Sequence, residues 1–218
     1  RRRRNAGRDL HETAVNRRLG ILISGGGRNL QAIIDAIQDG RLDASIAVVI
    51  SNRTDAPGLE RARDCGLDTR CIDHRDFATR ERFDRAVVAE LQAHDVGLVC
   101  LAGFMRLVGP PMIEAFPNAI LNIHPSLLPA FPGVGAQRQA LDHGVKISGV
   151  TVHLVTPELD AGPIVLQSAV PVRDDDTVDT LSARILVEEH LAYPAAIKSV
   201  LDGHWRVEGR RFVVFRPN

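Results

Sequence analysis

Asn122 and His124 stand at the end of an apolar run in LNIHPSLLPAFPG, Leu121 to Gly133. In an extended strand alternate side chains share a face, so these two point one way while Ile123 faces the core. Pro125 holds His124 in extended geometry and cannot continue a ladder, so the strand ends there with both groups at its C-terminal mouth. Open parallel sheets bind their ligands at that edge. An amide beside an imidazole offers two hydrogen-bond donors, or a donor and a proton source. That suits a carbonyl oxygen that turns negative during acyl transfer. An isolated Asn-x-His serves equally as a cap and a structural histidine, so the surrounding chain decides between the readings.

Asp160, in the loop TPELDAGPI, is the next candidate. Beside a glycine it reads as a turn former. If the fold brings it to His124, its carboxylate would orient the imidazole, favour its charged form and help move a proton. His153, in TVHLVT, shares a strand face with Thr151 and Val155 and reads first as a packed structural histidine.

Upstream, Ser24-Gly25-Gly26-Gly27-Arg28-Asn29 joins a strand to a helix. Backbone N–H groups and a helix N-terminus meet there with little side-chain bulk, which makes an anion site or simply a tight turn. Leu30 occupies the third glycine position of a dinucleotide fingerprint, and no Gly-Lys-Ser/Thr follows. A monophosphate held by Gly27, Arg28 and Asn29 therefore fits better than NAD or ATP.

The elements that carry these groups alternate. LGILIS, ASIAVVIS, Thr69 to Ile72, VGLVCLA and AILNIH read as strands, separated by helical patterns in NLQAIIDAIQDG, GLERARDCG and RERFDRAVVAELQAHD. Such repetition predicts an α/β fold: a Rossmann-like, open, mostly parallel sheet covered by helices on both faces. After Gly133 a helical AQRQALDHG leads to SGVTVHLVT and PIVLQSAVPV, an antiparallel C-terminal addition to the sheet. A long helix from about Thr177 to Leu201 follows, and WRVEGRRFVVF predicts a hairpin around Glu208-Gly209. The expected units are an extension over 1–18, a main domain over 19–203 and a hairpin extension over 204–218.

Lys plus Arg and Asp plus Glu number 27 each among 218 residues, so no global field gathers nucleic acid or a membrane surface. No apolar run approaches a membrane span. Cys65, Cys71 and Cys100 are odd in number and lack metal-type spacing, which argues against a disulfide framework and a zinc site and for a reducing cytoplasm. The N-terminal RRRRNAGRDLHETAVNRR is charged, without a sustained apolar face, and reads as a solvated, disordered extension or arm without a signal-peptide core. Composition leaves a homodimer open.

The strings LISGGGRNLQAIIDA, VVISNRTDAPGLERA, LAGFMRLV, NIHPSLLPAFPG, TVHLVTPELDAGPIVLQ and VEEHLAYPAAI together resemble the phosphoribosylglycinamide formyltransferase family of folate-dependent purine synthesis. The resemblance runs from about Leu19 to Gly203, and its specificity lies in the joint presence of Asn-x-His-Pro-Ser-Leu-Leu-Pro and Glu-Leu-Asp-x-Gly-Pro. It implies Asn122, His124 and Asp160 as a catalytic trio. It implies Gly27, Arg28, Asn29 and Glu189 at the phosphate and ribonucleotide site. It further implies a folate pocket of Arg80, Met105, Arg106, Leu107, Val108, Asn122, Thr156, Pro157, Glu158, Leu159 and Asp160. Read without it, Arg80 is a solvated helix charge, Glu189 a surface acid and Met105 to Val108 a hydrophobic turn. Two positions depart from the family: Arg28 where Ser is common, and Gly135 where several relatives carry His.

The implied reaction is direct attack by the primary amine of glycinamide ribonucleotide on the formyl group of 10-formyltetrahydrofolate, a co-substrate. Asn122 and protonated His124 would stabilise the tetrahedral oxyanion, and Asp160 would relay a proton through water. No metal is called for. A hydrolase of formyltetrahydrofolate would carry a longer N-terminal regulatory domain, and a methionyl-tRNA formyltransferase a basic C-terminal one. A sugar-nucleotide formyltransferase lacks support from the glycine loop and Glu189, and a folate-binding module without catalysis is the alternative of another class.

Overall fold

The computed structural model describes residues 16–215. Its elements are β1 (Arg18–Ile23), α1 (Arg28–Gln38), β2 (Ser45–Ser51), α2 (Pro57–Asp64), β3 (Thr69–Cys71), α3 (Arg80–Ala93), β4 (Leu98–Leu101) and α4 (Pro110–Ala115). They continue with β5 (Ile120–His124), α5 (Ala136–Asp142), β6 (Ile147–Leu154), β7 (Ile164–Pro171), α6 (Val178–Leu201), β8 (Trp205–Glu208) and β9 (Arg211–Val214). The strands form one nine-stranded sheet in the order β3-β2-β1-β4-β5-β6-β7-β9-β8. β1 to β5 are parallel, and β6 runs antiparallel to β5 and to β7.

Why the parallel strands read as unbroken apolar runs is visible in the packing. On one face Leu19, Ile21, Ile23, Val49, Cys100, Leu121 and Ile123 pack against α1 and α6. On the other, Leu22, Val48, Ile50, Val99, Leu101 and Ile120 pack against α3 and α4. Both faces are covered, so both parities must be apolar. Each buried aliphatic side chain contributes about 1.5–3 kcal/mol relative to exposure.

Strand order reverses at β1, which has β2 on one side and β4 on the other. The chain leaving β1 turns to α1 on one face, and the chain leaving β4 turns to α4 on the other. A crevice must open between those two departures, which is where ligands of open α/β sheets sit.

The helix α6 starts at a capping box: the Thr180 N–H donates to Thr177 Oγ1 at 3.2 Å and the Thr177 N–H to Thr180 Oγ1 at 2.9 Å. Tyr193, fully buried on this helix, reaches the carbonyls of Leu101 and Leu121 with its hydroxyl, at 2.9 and 3.1 Å. The contact ties α6 to the end of β4 and the start of β5, and so sets the height of Glu189, one turn earlier.

Three expectations need correction. Arg18 already lies in β1, and Arg17 donates to the Asp43 carbonyl at 2.6 Å, so residues 16–18 belong to the fold. The rest of the expected extension, residues 1–15, falls outside the described residues. The hairpin turns at Gly209-Arg210 rather than Glu208-Gly209, and β9 pairs with β7, so it extends the same sheet. The short helix α4, just beyond the expected turn at Met105 to Val108, has no counterpart among the helical patterns of the sequence. Among the described residues no helix is long and apolar enough to cross a membrane.

Candidate active site

The end of β5 presents Asn122 and His124 on the face that α3 and α4 cover further down. Asn122 pairs across the ladder with His153, and His124 with Thr151. The pairing makes His153 a member of the site, where the sequence pointed first to packing. Its Nδ1–H donates to the Leu154 carbonyl at 3.0 Å, which leaves Nε2 to accept from the Asn122 amide at 3.1 Å.

His124 is 5% exposed. Its Nε2–H donates to the Phe131 carbonyl at 2.8 Å, while Nδ1 faces Asp160 Oδ2 across 3.5 Å. Two acceptors thus flank the two ring nitrogens, and only the imidazolium has a proton for each. The loop that supplies Phe131 is pinned to the sheet by Thr151, which donates to the Ser126 carbonyl at 2.7 Å and accepts the Leu128 N–H at 3.0 Å.

Asp160 arrives from an unexpected direction. Because β6 is antiparallel to β5, the loop after it departs beside Ile120, where the Val155 N–H donates to the Ile120 carbonyl at 2.8 Å. The chain must then fold back over the sheet face to reach His124. It does so with Asp160 at φ 49°, a left-handed conformation that Asp tolerates better than most residues. The carboxylate accepts the Gly133 N–H at 2.8 Å and lies 3.7 Å from His153 Nε2. Burial pushes the Asp160 carboxyl up. The Gly133 donor and the neighbouring His124 imidazole outweigh it, leaving the group below the usual carboxylate range.

The glycine loop forms the opposite wall of the crevice. Gly27, at φ 69°, caps α1 without a side-chain bond, so the first N–H groups of the helix remain directed outward. Gly58 packs against the loop: its N–H donates to the Gly25 carbonyl at 3.0 Å, and a Cβ on it would stand 2.6 Å from Ile23 Cδ1. Asn29 donates to Glu189 Oε2 at 2.8 Å, and its own Oδ1 is buried without a partner. Glu189 is buried, and that burial pushes its carboxyl up against the pull of Asn29 and the Arg28 charge. Arg28 itself is exposed. Glu189 is therefore no surface acid.

Between these groups runs the chain from Gly103 to Gly109. It is tied to the glycine loop, since the Ser24 N–H donates to the Gly103 carbonyl at 3.0 Å and the Met105 N–H to Ser24 Oγ at 2.8 Å. Met105 and Leu107 are 75% and 54% exposed, and Arg106 turns inward over the Phe83 ring at 5.1 Å. Arg80 begins α3 as an exposed residue. Pro157, Glu158 and Leu159 are exposed and Thr156 half-buried on the loop that carries Asp160. Gly135 has φ 73° and caps α5, a conformation that a side chain there would strain.

A hollow of about 410 Å³ lined by Arg53, Thr54, Asp55, His74 and Arg75 lies beyond the end of β2. Both of its arginines are already paired, Arg53 with Asp55 and Arg75 with Asp73, and it holds none of the groups above. Among the described residues no three His, Cys, Asp or Glu side chains group so as to hold a metal ion.

A crevice with an imidazole and amide on one wall and bare helix N–H groups on the other suits transfer between a carbonyl donor and an anionic acceptor. Comparison with known proteins agrees in kind. A model of the formyl transferase family matches residues 17–197. The solved glycinamide ribonucleotide transformylase 1 of Symbiobacterium toebii is 55% identical with a TM-score of 0.91, covering 97% of this chain and 100% of that one. The phosphoribosylglycinamide formyltransferase of Escherichia coli (strain K12) is 44% identical over 187 residues, 86% of this chain and 88% of its own. The human trifunctional purine biosynthetic protein adenosine-3 is 46% identical over 186 residues. That match takes in 85% of this chain but only 18% of the longer relative. With nearly all of its described length matched, the chain belongs to the formyl transferase family, alongside the phosphoribosylglycinamide formyltransferases.

Proposed function

We propose that the chain transfers the formyl group of 10-formyltetrahydrofolate to the primary amine of 5-phosphoribosylglycinamide, a step of purine synthesis. The observation that carries this reading is the clustering of Asn122, His124 and Asp160, from one strand and a folded-back loop, with Asp160 against His124 and His153 and Asn122 joined to it through His153. The acceptor's phosphate lies on the first turn of α1, against the N–H groups of Gly27, Arg28 and Asn29, where the helix dipole favours an anion. Glu189, steadied by Asn29, accepts from the ribose hydroxyls. The folate lies along Met105 to Val108 and Thr156 to Asp160, with Arg80 at its outer end.

The amine nitrogen attacks the formyl carbon, and the carbonyl electron pair moves onto oxygen. Asn122 has a second amide proton free for that oxygen, and His124 Nδ1–H turns to it because 3.5 Å to Asp160 is too long to hold the proton firmly. Asp160 draws a proton from the attacking amine, directly or through water. Collapse of the intermediate then reforms the carbonyl and breaks the bond to the folate nitrogen, which takes up the proton that Asp160 drew from the amine. His124 keeps its orientation throughout, because Nε2–H stays on the Phe131 carbonyl.

The free Cys65, Cys71 and Cys100 support a reducing, cytoplasmic setting. The test is the absorbance of the folate followed with and without the ribonucleotide. Deformylation only in its presence, with formylated ribonucleotide as product, supports the transferase. Equal deformylation in both mixtures identifies a hydrolase and overturns the proposal.

A further inference from the structure

We propose that Asp84, a buried carboxylate on α3 outside the catalytic cluster, is a positioning residue that holds the loop 105–108 in its folate-binding shape. The inference rests on the reading of that loop as folate-binding. Asp84 is 1% exposed, and burying a carboxylate is costly unless it is partnered. Its partners come from the loop and from the start of its own helix. The Gly109 N–H donates to Oδ2 at 2.9 Å, and the positive charges of Arg80 and Arg106 lie close enough to act on the carboxyl.

Gly109 itself points to the same contact. Its φ of −96° is open to any residue, so no turn requires glycine there. A Cβ at 109 would instead run into the Asp84 carboxylate, the nearest atom to that position. Glycine is present so that backbone and carboxylate can meet. At the other end of the loop the Met105 N–H is held by Ser24 Oγ. The segment is thus strung between two side-chain acceptors, Ser24 and Asp84.

What lies between the two ties shows the use of the arrangement. Arg106 is laid over Phe83, the residue preceding Asp84, and its Nε is buried with no acceptor. A buried guanidinium N–H left without a partner marks a place for an acceptor that the chain does not supply. Phe83 supports the guanidinium and Asp84 supplies its counter-charge, which leaves that donor for the ligand. Met105 and Leu107, on the opposite parity, offer apolar surface.

The test compares Asp84→Asn and Gly109→Ala in steady-state kinetics of the full chain. Asn retains an oxygen for the Gly109 N–H and loses only the charge, while Ala retains the N–H and displaces the carboxylate. Both variants are expected to raise KM for 10-formyltetrahydrofolate about tenfold, the scale of one charge-assisted contact. KM for the ribonucleotide should stay near wild type in both variants, and so should the melting temperature of Asp84→Asn, while Gly109→Ala, which displaces a buried carboxylate, should melt somewhat lower. An unchanged folate KM in both variants overturns the inference, as does a rise in both KM values together with a fall in melting temperature. Arg106→Met separates the two levels. If it raises the folate KM while Asp84→Asn does not, the anchoring role alone fails; if neither does, the folate reading of the loop fails with it.

Discussion

Replacing Asp160 by Asn removes one charge and little else. Asn tolerates the left-handed backbone at φ 49° as well as Asp does and keeps an oxygen for the Gly133 N–H. What disappears is a negative charge 3.5 Å from His124 Nδ1 and 3.7 Å from His153 Nε2. At an effective dielectric of about 20, a unit pair at the first distance attracts by about 5 kcal/mol, part of which desolvation offsets. The proton acceptor for the attacking amine is lost as well. Together these raise the barrier by roughly 3–5 kcal/mol, so kcat should fall roughly 10²- to 10⁴-fold while both KM values change little. The assay is steady-state folate absorbance with saturating ribonucleotide, beside a thermal melt. Because the folded pKa of Asp160 is depressed, its stabilisation is fully present above the unfolded value, about 3.9, and is lost as pH falls through the folded one. The melting temperatures of variant and wild type should therefore differ at neutral pH and converge in acid. A variant retaining kcat within about tenfold of wild type would refute the reasoning, since general acid–base contributions are larger than that.

Glu189→Gln should split stability from binding. Burial raises the Glu189 pKa, so its charge opposes folding as pH rises through the folded value, and Gln keeps an oxygen for Asn29. The melting temperature at pH 7 should rise by about 2–4 °C for each kcal/mol relieved, while the ribonucleotide KM rises about tenfold. Gly27→Ala should cost about 1–2 kcal/mol in denaturant unfolding, for a side chain at φ 69° whose Cβ would stand 3.0 Å from Gly58 Cα. It should also raise the ribonucleotide KM more than the folate KM. His124→Ala should lower kcat at least 10²-fold with both substrates still detectable by calorimetry.

Much of this molecule is legible along the chain because its cause is local. Five apolar runs alternating with amphipathic ones imply a parallel sheet, and Asn122 and His124 share a face by the period of a strand. Gly27 announces a turn that only a residue free of Cβ makes cheaply. What stayed hidden depends on pairing across the sheet. His153 reads as core until the β5 and β6 register sets it beside Asn122. The helix α4 is six residues opening on two prolines, too short to show a period. Asp84 lies four residues after Arg80 among charged neighbours, and nothing local tells a buried carboxylate from a solvated one.

The antiparallel strand β6 explains both the hidden part and its use. A parallel strand beside β5 would have released its following loop at the same edge as His124, with a carboxylate reaching in from the rim. Reversal places the exit at the far end, beside Ile120, so the loop must cross the sheet face before it arrives. The return from Val155 to Asp160 runs through bends at Pro157 and Glu158 and a turn at Leu159-Asp160, and the Asp160 side chain spans the last stretch to His124. That crossing buries Asp160, with its side chain 7% exposed, and closes the face over Asn122 and His153. The carboxylate therefore meets the imidazole in a protected place, where a charge acts more strongly than at an open rim. Lengthening the loop by two glycines after Glu158 should leave the sheet and the glycine loop intact. It should let the carboxylate drift from His124 and lower kcat toward the Asp160→Asn level, with the ribonucleotide KM unchanged. Full activity in that insertion variant would show that the tight crossing has no part in setting the carboxylate.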